Sequence, residues 1–235
     1  RQLTPFIKLE PNFVKFSNTP PDTKAKVINR LSKLKRSESQ IEEIKRKAKI
    51  TTLLETAEAA FNVGDITQSL SSYKKVLLLE PEHVLAHMNM GNIYQGLKLT
   101  EEAEKAYKRT LKANPFYVFG AISLARLYVF SGQSEKAIDV LQNTLKWYRG
   151  DHEMSLFMGL AYAFNKDAKR AVEEFEKSLK WDPDYPLAHF YLGVQVQNSD
   201  PSLARRHLEA FLRLTRDKNL QSQLIEKAEK LLKKL

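Results

Sequence analysis

The 235 residues carry a formal net charge of +10, 43% apolar side chains, eight Gly and nine Pro, the balance of a folded helical chain. No cysteine is present, which excludes disulfides, thiolate metal sites and cysteine nucleophiles. The longest aliphatic tract is Val76 to Leu79, far short of the ~18 apolar residues of a membrane span.

The charge is concentrated at the ends. Residues 1–50 hold 13 basic and 5 acidic side chains, residues 203–235 hold 9 and 4, and the stretch between holds 16 and 19. Because the first residue is Arg1 rather than Met, a targeting segment is expected to have been removed upstream. That leaves the cytoplasm and the periplasm or cell envelope both open.

Residues 1–22 set Pro5, Pro11, Pro20 and Pro21 among Phe6, Ile7, Phe13, Val14 and Phe16, an extended rather than helical pattern. Such apolar residues need cover, and docking on a helical array is expected, in cis or on a neighbouring copy. Residues 23–36 and 39–49 read as basic amphipathic helices. A capping box from Ser39 to Glu42 is expected to open the second, which has no break before residue 50.

From residue 50 onward the chain repeats itself every 34 residues. Pro81, Pro115 and Pro183 fall in one register, and Gly91, Ala125, Gly159 and Gly193 in another. Tyr73, Tyr107, Leu141 and Phe175 form a register of large residues, and Ser69, Ala103, Ala137 and Ala171 a register of small ones. The spacing predicts two helices per unit, such as Glu82–Leu97 followed by one that Thr100 N-caps and that stops before Pro115. Asp65 to Gln68 forms a capping box after Gly64, and Pro186 sits in the first turn of a helix. Small residues let paired helices approach, and the large ones fill the space beside each crossing.

Leu/Met-Gly-x-x-Tyr, then Ala-x-x-x-Tyr/Phe, then Pro at this period resembles the tetratricopeptide repeat family. The resemblance covers about 50–218, as units 50–83, 84–117, 118–151, 152–185 and a degenerate 186–218. In the last, Ala204 and Leu208 come one place early. The family's usual Trp is absent, with His87, Ala121, Ser155 and His189 in its slot. Residues 219–235 resemble the helix that caps the last face of such arrays. The resemblance implies an all-α, right-handed α-solenoid of stacked helix-turn-helix units with an extended amino-terminal tail.

It also implies a peptide-binding groove lined by the first helix of each unit. Carried onto this sequence, the groove slots give Met88, Asn89, Asn92, Phe119, Ile122, Ser123, Arg126, Phe130, Phe157, Leu160, Phe164, Phe190 and Tyr191. Arg126 is read as a partner for backbone carbonyls or one ligand carboxylate. The cation clamp of chaperone-tail adaptors is missing, since Leu54, Met88, Phe119 and Ser123 stand in its basic slots.

No phosphate loop, nucleophile elbow or His-Glu-x-x-His pair appears. His87 and His189 share a repeat slot and are read as packing residues, so neither a metal nor a cofactor is expected. The expected function is a non-enzymatic scaffold for an apolar extended or helical peptide, with the chain's own tail or a neighbour's among the occupants. Two alternatives remain. One is homo-oligomer assembly by tail-in-groove exchange. The other is binding of nucleic acid or anionic membrane by the basic ends, with nucleic acid the less favoured.

Overall fold

The computed structural model describes residues 38–215 and 222–235. The expectations for the tail, 1–22, with its anchors Phe6, Ile7, Phe13, Val14 and Phe16, and for 23–36 lie outside the described residues. Two compact units result, one ending at Pro115 and one beginning at Phe116.

The first unit contains α1 (Glu38–Asn62), α2 (Ile66–Leu79), α3 (Val84–Gly96) and α4 (Thr100–Ala113). α1 runs without a break into the first repeat, and Ser39 lies inside it rather than at its cap. The carboxylate of Asp65 accepts from the Gln68 amide at 2.9 Å and so starts α2. α3 begins at Val84, where the imidazole of His83 caps the Ala86 amide at 3.2 Å. Thr100 is the first helical residue of α4 and not its cap. Leu99 occupies the cap without a side-chain bond, and Glu101 and Glu102 answer the helix dipole instead. Leu54, Ala57, Tyr73, Val76, Ala86, Met90, Ile93 and Ala106 make the core of this unit.

The second unit contains α5 (Val118–Phe130), α6 (Ser134–Leu145), α7 (His152–Phe164), α8 (Ala168–Trp181), α9 (Pro186–Val196), α10 (Pro201–Thr215) and α11 (Ser222–Leu232). Each odd-numbered helix from α5 to α9 pairs with the next, and the first helices α5, α7 and α9 pack side by side. Pro186 takes the first position of α9, where its missing amide costs nothing. Phe190, Leu208 and Phe211 pack with Leu224 and Ala228, which brings α11 against α9 and α10.

Three of the helix pairs close on a glycine. A Cβ on Gly91 would stand 2.5 Å from Cε1 of Tyr107, and one on Gly159 2.6 Å from Cδ1 of Phe175. Both rings lie 16 positions beyond their glycine. Gly193 meets Leu208 at 2.9 Å after only 15, which is where the missing residue of the fifth unit shows. α9 is correspondingly short, 11 residues against 13 in α5 and α7.

The backbone keeps the same period. Gly64 (φ 82°), Lys98 (61°), Gly132 (74°) and Lys166 (61°) all take the left-handed conformation, at 34-residue steps. Lysine is strained there by its Cβ, so Lys98→Gly and Lys166→Gly are each expected to stabilise the chain by about 1 kcal/mol. Urea unfolding of the single variants measures this, and an unchanged midpoint for both would contradict it. Among the described residues no strand occurs.

Candidate functional site

Two of the expected groove amides are occupied inside the first unit. Asn89 Nδ2 donates to the Tyr73 hydroxyl at 3.0 Å, and the Tyr107 hydroxyl donates to Asn92 Oδ1 at 2.8 Å. Asn89 is 2% exposed and Met88 5%, so both belong to the interior. A buried phenol must find a partner, and these amides supply it.

The same correction applies to part of the second unit. Ile122, Ser123, Phe157, Leu160 and Phe190 are expected along an open groove, yet each is buried. The reason is the seam between successive first helices, which encloses the slots facing a neighbour. Phe157, for example, meets Phe130 edge to face at 6.4 Å. Phe119 and Phe164 remain exposed, and Arg126, Phe130 and Tyr191 are half-buried.

Arg126 does not stand ready for a ligand carboxylate. Its guanidinium already faces Glu153 at 4.0 Å, both side chains being largely covered. Burial is the main cause that raises the Glu153 carboxyl above its ordinary range, against the pull of Arg126. Burial, reinforced by Glu153, also pushes the Tyr185 phenol up, and His152 lies edge-on to that ring at 4.6 Å. Glu153 shares a repeat slot with Phe119, and the apolar pattern of that register concealed it.

Three of the slots that the seam leaves unsealed, those of Phe130, Phe164 and Tyr191, meet the buried Leu160 in one place. Phe130 of α5, Leu160, Ala163 and Phe164 of α7, and Tyr191 and Val194 of α9 surround a cavity of about 100 Å³. Phe175 of α8 lies behind it, stacked on Tyr191 at 6.1 Å, and Lys227 reaches in from α11. Phe130, Leu160, Phe164 and Tyr191 are thus brought together, whereas Met88, Asn89 and Asn92 belong to the other unit. Lys227 has no counterpart in the repeat, so the 34-residue pattern could not find it.

The matching histidines prove to be backbone ties. His87 Nε2 lies 2.8 Å from the Pro81 carbonyl and His189 Nε2 2.9 Å from that of Pro183. A carbonyl only accepts, so each Nε2 carries the proton. The Nδ1 of His189 therefore accepts, and His207 donates to it from its own Nδ1 at 2.8 Å.

Burial, with His189 and the Arg206 cation adding to it, holds His207 at about 4 against 6.5 for a free imidazole. Between those values the unfolded chain binds more protons than the folded one. The stability that His207 contributes is therefore complete above pH 6.5 and is lost as pH falls toward 4. Glu153, shifted upward, slopes the other way, so the His207→Gln variant is compared with the parent chain. The difference in unfolding midpoint should shrink on acidification. A constant difference would overturn the assignment.

The basic cluster within the described residues is largely spent on its own helix. Lys45 pairs with Glu42 at 2.8 Å, and Arg46 and Lys47 pair with Glu43 at 2.9 and 3.4 Å. Arg46 also donates to the Leu79 carbonyl. Three of its four cations are thus partnered.

Known proteins match this architecture. Family models described as tetratricopeptide repeat match residues 54–118 and 152–185. A search of the curated proteins finds no match to the sequence. Among solved structures, MamA from Desulfovibrio magneticus RS-1 is 20% identical with a TM-score of 0.64, over 73% of this chain and 97% of that one. A thermophilic tetratricopeptide repeat protein of Thermus thermophilus is 18% identical with a TM-score of 0.62, over 78% and 98%. YrrB, a tetratricopeptide repeat protein with an unusual peptide-binding site, is 22% identical with a TM-score of 0.59, over 82% and 96%. At these identities the likeness is one of fold, the all-α solenoid of helix-turn-helix units.

Proposed function

We propose that this chain, which tetratricopeptide repeat models match over residues 54–118 and 152–185, is a scaffold for protein partners, as such repeats generally are, and that it grips an apolar peptide on the face formed by α5, α7 and α9. One observation carries the reading. The cavity lies on that face, walled by aromatic and aliphatic side chains from all three helices, with Phe164 at its exposed edge. Apolar side chains left open at a groove are a standing cost in water, and an anchor residue of a partner removes it. YrrB, of the same fold, has a peptide-binding site, which fits this use of the architecture.

Selection of peptides from a random display library against the full chain tests the proposal. The selected peptides should share a bulky apolar anchor, and Phe164→Ala and Phe130→Ala should each weaken their binding by about 1–3 kcal/mol. A selection whose peptides bind both variants as tightly as the parent chain would exclude this face.

A further inference from the structure

Taking the apolar face as the binding surface, we propose that its cavity selects a peptide in which a single bulky apolar side chain stands next to a carboxylate, and that Lys227 is the residue that reads the carboxylate. A space of about 100 Å³ holds one side chain, not an extended ligand. Its walls are Phe130, Leu160, Phe164, Tyr191 and Val194, and Lys227 is the charged residue among those lining it. Size and lining thus specify an apolar anchor with a negative group beside it.

The state of Lys227 supports the negative group. On α11, Lys230 is matched to Glu226 at 2.5 Å, whereas Lys227 makes no ion pair among the described residues. Its ammonium lies 5.7 Å from the centre of the buried Phe190 ring, in contact with a π-face rather than a carboxylate. Burial also pulls it below the ordinary lysine range. A cation that has lost water without gaining an anion is relieved by an arriving carboxylate.

Three synthetic hexapeptides serve as probes in calorimetric titration of the full chain. They are acetyl-Ser-Glu-Leu-Phe-Glu-Ser-amide, its double Glu-to-Gln analogue, and an analogue with Ala for Leu and Phe. The acidic probe should bind about two- to tenfold tighter than the Gln analogue. That advantage should vanish in Lys227→Met, which keeps the apolar stem, and should shrink between about 50 mM and about 0.5 M salt. Equal binding of the acidic and Gln probes, with the Ala probe silent, overturns the acidic selectivity and leaves the apolar face standing. Equal binding of all three probes, or binding by none, overturns both. A peptide of residues 1–16 that binds more tightly than the acidic probe assigns the cavity to the chain's own amino end and sinks the proposal.

Discussion

Gly91→Ala is expected to destabilise the chain by about 3 kcal/mol, the upper end for overpacking a closed site. The added methyl would meet Tyr107 Cε1 at 2.5 Å and Cδ1 at 2.7 Å, distances that contacts of a real Cβ do not show. Relief would require the ring to move, and two facts oppose that. Tyr107 is fully buried, and its hydroxyl is held by Asn92 at 2.8 Å. The α3–α4 pair must then part, so chemical denaturation should show a large drop in midpoint. The double variant with Tyr107→Leu should recover part of the loss, because it shortens the obstacle. A single variant as stable as the parent chain would mean that these helices are not in contact at Gly91.

Phe190→Ala is expected to cost more, about 3–5 kcal/mol. The ring is fully buried, 5.1 Å from Phe211 and 5.2 Å from Tyr191 between centroids. It also supports the ammonium of Lys227. Its removal leaves a hole where α9, α10 and α11 meet, and the short terminal helix has the least other packing to hold it. Hydrogen exchange should therefore accelerate first over Ser222–Leu232, ahead of α7 and α8. A loss of stability spread evenly over the second unit, with no excess in the last helix, would contradict this account.

The sequence made some of this legible and hid the rest for physical reasons. A strict period reveals the residues that every hairpin needs for itself, which is why Gly91, Gly159 and Gly193 announce the close crossings. It also marks the place where Leu208 falls out of register. The open face is another matter. Slots such as that of Ile122 lie where one first helix meets the next, and a linear pattern does not separate the seam from the surface beside it. Asn89 and Asn92 look like ligand-binding amides until Tyr73 and Tyr107 are seen to require them. Glu153 broke an apolar register, and its position opposite Arg126 depends on two successive first helices packing together. His87 and His189 share a repeat slot for a reason that no spacing shows, a bond from each imidazole to a proline carbonyl six residues back.

The close approach at Gly159 reaches further than the helix pair it joins. Phe175, the ring that a methyl there would strike, also forms the back wall of the cavity. Unlike Tyr107, it has an empty space beside it into which it can swing. A single carbon added behind the ring would thus shrink the receptacle from the rear, by pushing its wall inward rather than by replacing a residue that a guest touches. Descendants of this chain could retune which guest they accept through a position that is itself hidden from every guest.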